Sequence, residues 1–325
     1  MKSFLLKRLI QIPFILLLIS FMSFMVLQLA PGDFFTAMQM NPQISAETIA
    51  EMSAKYGFDK PLMVQYILWL KGIVCGDFGQ SLSYHVSVVQ LIGSRLVSTV
   101  ILSFCSILFT WVLAFPLGVI IALKANTILD RGLSFFAFLG MSMPSFFFAF
   151  LLLLLALHTG WFPIGGTFSS DYFDLSLWGK IIDRGRHLVI PVLVLGLGGM
   201  GSLMRVMRTQ VLEIVNADFV NAARARGLSE WRVILKHVVR NAINPFVTGI
   251  GYLFGALVSG AALVEIVLNL QGLGTLVLTA VQSQDQFVIM GVLLISGCLL
   301  LVGVLIADIL LTLVDPRITF KKLEG

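Results

Sequence analysis

The chain has 325 residues, of which 58% are hydrophobic and 12% charged, and its net charge is +5. A soluble domain of this size carries roughly twice that charged fraction. Several apolar runs exceed the roughly 18–20 residues that cross a bilayer as a helix, so the composition is that of an integral membrane protein. The runs are too long and too poorly alternating for barrel strands of about ten residues, and the small basic excess fits membrane-edge Lys and Arg better than nucleic-acid binding.

The chain opens with Lys2, Lys7 and Arg8 and then an apolar run from Leu9 to Ala30. That run is longer than the roughly 7–15 apolar residues of a signal peptide, so it is read as a retained first span. Six spans are predicted, making an all-α polytopic transmembrane bundle: Leu9–Leu29, Val97–Leu123, Leu133–Leu157, Leu188–Met204, Pro245–Val267 and Val288–Val314. Each is apolar all round, as helices in lipid or in a bundle should be. With the N-terminus in the cytoplasm, 15 of the 22 Lys and Arg fall inside and 7 outside. The positive-inside rule therefore places both termini in the cytoplasm. The organisation is a first span (1–30), an extracytoplasmic segment (31–96), a five-span core (97–314) holding a cytoplasmic loop (205–245), and a cytoplasmic tail (315–325).

Within the first external segment, Ser45 to Tyr56 reads as a helix with Ser45 as N-cap and Gly57 just past its end. His158 to His187 is a second, shorter external loop. Pro116, Pro144 and Pro191 lie within or near spans, where proline removes a backbone hydrogen bond and bends a helix.

The loop contains the most informative stretch, DFVNAARARGLSEWRVILKHVVRNAINP, Asp218 to Pro245. Asp218 can cap a helix through Arg226, and Gly227 suits its end because glycine accepts the left-handed backbone. Ser229 can cap a second helix, with Trp231, Leu235, Val238 and Ala242 on one face and Arg232, Lys236 and Arg240 on another. Small residues Ala222, Ala223 and Ala225 allow another backbone to approach, which suits docking into a partner's groove. An interfacial helix resting on anionic lipid through Arg224, Arg226 and Trp231 fits the same residues equally well.

This loop resembles the EAA loop of permease subunits of bacterial ABC importers. Asn221-Ala222-Ala223 precede Gly227 at the family distance, with Ile234 and Pro245 downstream, although Asn221 stands where the family has glutamate. The variant is most similar to the dipeptide/oligopeptide/nickel subfamily, in the run Asp218-Phe219-Val220-Asn221-Ala222-Ala223-Arg224-Ala225-Arg226-Gly227-Leu228. Similarity to the B-type subunit of these systems extends over nearly the whole chain. It includes the first span, Gly76-Asp77-Phe78-Gly79-Gln80-Ser81, Pro144-Ser145-Phe146-Phe147, Trp161-Phe162-Pro163, Glu265-Ile266-Val267 and Gly272-Leu273-Gly274.

The resemblance implies a type I importer permease fold and di- or oligopeptide transport by alternating access. It implies as partners a second homologous permease, two cytoplasmic ATPase subunits and an external solute-binding protein. The ATPase-coupling residues would then be Asp218, Asn221, Ala222, Ala223, Arg224, Arg226 and Gly227, with Glu265 as a gate or external contact. An ATP-independent secondary transporter or channel is the alternative.

Other motifs argue for no chemistry on this chain. Gly196-Leu197-Gly198-Gly199-Met200-Gly201 matches a dinucleotide fingerprint but lies inside an apolar span, where glycines, and the Gly198/Ser202 spacing, serve close helix packing. No phosphate-binding G-x-x-x-x-G-K-[ST] loop occurs, so ATP hydrolysis is expected on another polypeptide. Cys75, Cys105 and Cys298 form no metal or disulfide pattern, and neither a cofactor nor a catalytic group is expected. Glu265 and Asp308 sit toward span ends, whereas ion-coupled transporters place ionisable groups near the midplane.

Overall fold

A computed structural model describes residues 2–39, 43–249 and 262–314. Among these residues every extended regular element is a helix. The chain forms two compact units, residues 1–97 with 272–301, and residues 98–271 with 302–325.

In the first unit, α1 (Lys2–Leu29) packs one face on α4 (Leu62–Val74). Ser20 Oγ lies 2.9 Å from Tyr66 Oη, and Phe24 is buried with Tyr66, Trp69, Met290 and Leu294. Ile10 and Phe14 on α1 stay exposed, as a helix facing lipid requires. Two short helices, α2 (Phe34–Gln39) and α3 (Ala46–Tyr56), lie between. At α3 the Ser45 hydroxyl accepts the Thr48 N–H at 3.2 Å and Gly57 is left-handed, the two caps the sequence predicts.

The stretch from Gly76 to Ser87 is tied to the turn between α13 (Leu273–Gln282) and α14 (Gln286–Val314). Fully buried Asp285 accepts the Ser81 hydroxyl at 2.6 Å and the Ser83 N–H at 3.0 Å, while Ser83 and Ser283 hydroxyls meet at 2.8 Å. Gly79 has φ +87°, and a Cβ there would stand 2.9 Å from the Phe287 ring. The Gly-x-x-Gly-x-Ser element is thus a close-packed joint.

The second unit is built on α8 (Leu177–Ile214), capped by Ser176. Its 38 residues span about 57 Å, well beyond the roughly 30 Å apolar core of a bilayer. The predicted span Leu188–Met204 is therefore only its middle. Pro116 in α5 (Val88–Leu123) and Pro191 in α8 sit inside continuous helices.

Pro144 behaves differently. The predicted span Leu133–Leu157 is two helices, α6 (Ile128–Ser142) and α7 (Ser145–Thr159), bent by 101°. A proline disfavours helical geometry in the residue before it, and Met143 is extended at φ −86°, ψ 130°. Each half, at 15 residues and about 22 Å, is too short to cross alone. Four described helices are long and apolar enough to span, or five if the bent pair counts as one broken span.

The fifth predicted span, Pro245–Val267, is described only at its ends, helical residues 244–249 and α12 (Ala262–Val267). Its centre and the predicted tail 315–325 lie outside the described residues.

Glycines draw α8 against its neighbours. A Cβ at Gly196 would come within 2.5 Å of the Phe109 ring on α5, and one at Gly201 within 2.5 Å of the Ala137 carbonyl on α6. Thr110 Oγ1 donates to the Gly196 carbonyl at 3.0 Å. The fingerprint-like run is a packing surface, as its place in a span predicts. The contacts, however, fall on Gly196 and Gly201: Gly198 has open space beside it and Ser202 is exposed.

Candidate functional site

The loop begins where α8 ends. After the turn Val215–Ala217 the chain enters α9 (Asp218–Ala225). The sequence names Asp218 as N-cap, but Ala217 has the cap geometry (φ −66°, ψ 150°) and Asp218 is the first helical residue. Its carboxylate still sits at the positive end of the helix dipole. Arg226 closes α9, and Gly227 follows at φ +77° with nothing near a would-be Cβ. Glycine is needed there for its backbone freedom alone.

The chain turns at Gly227 and continues through α10 (Glu230–Val233), a wide π turn (Ile234–Val239) and α11 (Arg240–Ala242). The π turn changes which residues face inward. Trp231 and Leu235, predicted on the apolar face, are 68% and 47% exposed, whereas Val233, Ile234, Val238 and Ala242 are buried. A π turn carries more residues per turn than the 3.6 of an α-helix, so Trp231 before it and Leu235 within it leave the predicted stripe.

Val220 and Ala223 of α9 pack with Met207 and Val211 of α8, Ala122 of α5, and Val233, Val238, Ala242 and Phe246 beyond the turn. This single apolar cluster joins α9 to the long span before it and to the helical residues that open the next. Burying one such side chain contributes roughly 1.5–3 kcal/mol for the larger apolar residues.

Of the predicted coupling residues, Ala223 is therefore internal, while Asp218, Asn221, Ala222, Arg226 and Gly227 are at the surface and Arg224 is half-buried. Phe219 and Trp231 add exposed apolar area to the same loop.

Arg224 staples the loop. Its guanidinium donates to both Glu230 oxygens at 3.1 and 2.8 Å, to the Val215 carbonyl at 3.0 Å and to Asn221 Oδ1 at 3.1 Å. The Arg224 hydrogen bonds hold the Glu230 carboxyl below its usual range, against an opposing effect of desolvation. Glu230 belongs to no motif of its own, yet its place six residues after Arg224, just past the Gly227 turn, is a usable signal. Asn221 Nδ2 donates to the Asn216 carbonyl at 3.1 Å while its oxygen accepts from Arg224. An amide can do both; a carboxylate can only accept.

Glu265 lies on α12, 1% exposed, where α12 packs beside α7. Its neighbours Val264 and Leu268 are buried with Ala149, Ala156, Ile190 and Val194. The Leu268 carbonyl accepts the Gly166 N–H at 2.8 Å, which ties the loop after α7 to the end of α12. Glu265 is thus internal and is not brought near the α9 loop residues in one described site.

Residues 114–320 match the family described as binding-protein-dependent transport system inner membrane component, and residues 1–103 match its N-terminal companion. The chain belongs to this family. It is 38% identical to the oligopeptide transport system permease protein AppB of Bacillus subtilis (strain 168), over 98% of this chain and all of that one. Identity to the dipeptide transport system permease protein DppB of Escherichia coli (strain K12) is 33%, over 99% of this chain and all of that one. Among solved structures, a chain of the MetNI methionine ABC transporter in inward-facing conformation matches with TM-score 0.54 and 19% identity. It covers 70% of this chain and 97% of that chain. That likeness concerns the fold, which is an ABC importer permease fold.

Proposed function

We propose that this chain forms half of the translocation pathway of an ATP-driven importer of di- and oligopeptides, working by alternating access. Its partners in this reading are a second homologous permease, two cytoplasmic ATPase subunits and an extracytoplasmic solute-binding protein. Both termini and the α9 loop lie in the cytoplasm, as the basic residues direct. The peptide cargo rests on the named relatives, and ATP hydrolysis belongs to the partner subunits.

One observation carries the reading: α9 shares a closed apolar cluster with α8 and residue Phe246, while Phe219 and Ala222 on α9 and Trp231 on α10 stay outside. Force applied to the exposed side reaches two spans through packed side chains. The Arg224 staple keeps the loop from deforming instead. Glu265, buried in this conformation, is read as a gate group and not as an external contact.

The test is site-specific photocrosslinking in the assembled transporter. A crosslinker at Ala222 should capture an ATPase subunit, and one at Ala223 should stay within this chain. Failure at Ala222, Phe219 and Trp231 alike, in a complex that still imports peptide, would overturn the coupling role. Peptide uptake that continues with hydrolysis-deficient ATPases would favour an ATP-independent carrier.

A further inference from the structure

On a different flank of α8 from the α9 loop, but at the same level, a cavity of about 310 Å³ opens between α6 and α8. The level is fixed by α8 itself: Met207 packs in the α9 cluster, while Met204 and Arg208 line the cavity. At its floor Asp130, 5% exposed, accepts Arg208 Nε at 3.0 Å and Nη2 at 2.8 Å. The Asn126 N–H at 2.9 Å and the Ser134 hydroxyl at 3.3 Å complete its shell.

The floor is neutral; the rim is not. Arg131 and Arg205 also line the cavity, and among the described residues neither has a carboxylate within 4.0 Å. Arg205 lies 4.7 Å over the Phe138 ring, which orients its guanidinium without neutralising it. Two positive charges are therefore held at one opening with no counter-ion from the described protein. Beside them α6 exposes Phe135, Phe138 and Leu139, 60%, 50% and 44% accessible. A ligand that satisfies both features has an anionic head and an apolar body.

We propose that this cavity binds the phosphate of an anionic membrane phospholipid, with Arg131 and Arg205 as its ligands and the Asp130–Arg208 pair fixing the spacing of α6 and α8 beneath. Guanidinium groups recognise phosphate oxygens through paired, charge-assisted hydrogen bonds. Basic pockets between membrane helices at the cytoplasmic edge bind lipid headgroups on this principle. The apolar strip on α6 selects a lipid over a free anion, because acyl chains cover it and inorganic phosphate does not.

The full-length chain in detergent, titrated separately with phosphatidylglycerol and phosphatidylcholine, provides the test by native mass spectrometry. One phosphatidylglycerol per chain should bind in preference to phosphatidylcholine. The R131Q/R205Q double variant should bind it on the order of thirtyfold more weakly, and each single variant about fivefold. Millimolar inorganic phosphate should not displace it.

Equal retention of phosphatidylglycerol by the wild type and by variants with unchanged thermal unfolding would overturn the proposal. So would equal retention of the two lipids. Displacement by inorganic phosphate would assign the site to a free anion and overturn the lipid. Should the double variant fail to fold, the single variants decide. The proposal rests on the membrane edge assigned above but uses no ATPase, so its failure and that of the coupling role are read separately.

Discussion

Two of the polar segments between the apolar helices are built around different centres. The α9 loop is closed by a cluster of apolar side chains, with the Arg224–Glu230 pair bracing it at its edge. The Gly76–Ser87 segment is closed by a buried carboxylate, Asp285, surrounded by donors. Apolar packing is non-directional and keeps its attraction when a body shifts slightly, whereas a buried polar cluster is satisfied in one geometry. The first suits a part that transmits movement, the second a part that stays fixed.

Substitutions can break this contrast. The largest expected effect is from Ala223→Glu, which places a carboxylate inside the loop's closed cluster at a cost on the order of several kcal/mol. Limited proteolysis should then cut the loop rapidly, while Ala222→Glu, on the exposed side, leaves it protected. Equal protection of the two variants would mean the inside and outside of α9 are misassigned.

Asp285→Ala comes next. It strands the Ser81 hydroxyl and the Ser83 N–H, which should lower stability by roughly 2–4 kcal/mol in thermal unfolding of the purified chain. Asp285→Asn keeps an acceptor and should cost less. An unchanged Tm in the alanine variant would remove the fixed side of the comparison.

Gly227→Val forces a β-branched residue to positive φ, with about 1–2 kcal/mol of backbone strain and no steric clash. Peptide-stimulated ATP hydrolysis and uptake in the assembled transporter should uncouple, with Gly227→Asn milder because asparagine tolerates that backbone.

The smallest effect is a pH dependence. Folding lowers the Glu230 pKa, so its bond to Arg224 contributes fully above the unfolded carboxylate value and is lost as pH falls through the folded value. Protease resistance of the loop should fall on acidification, and Glu230→Gln should remove that part of the pH response. Identical profiles for the two proteins would show that the staple adds nothing.

Much of the fold was legible residue by residue. Ser45 and Gly57 bound α3, Gly227 ends the first loop helix, and the apolar runs are helical where they are described, because capping and hydropathy act within a few positions. At Pro144 the sequence predicts a bend and the structure has a break of 101°, since a span's hydropathy does not show whether its two halves pack as one helix. Beyond Gly227, Trp231 and Leu235 leave the inward face because a constant helical period does not hold through the π turn.

What the sequence by itself determined is the membrane class, the helical character of the described apolar runs, and the importer-like loop with the glycine that ends its first helix. Only the tertiary structure decided that Ala223 is inside and Ala222 outside, that Ser81 meets Asp285 across 204 positions, and that Arg208 meets Asp130 across 78. Local rules fix a helix and its ends; which faces and charges then come together depends on side chains far apart in the chain, whose pairing has energy only after the helices have packed.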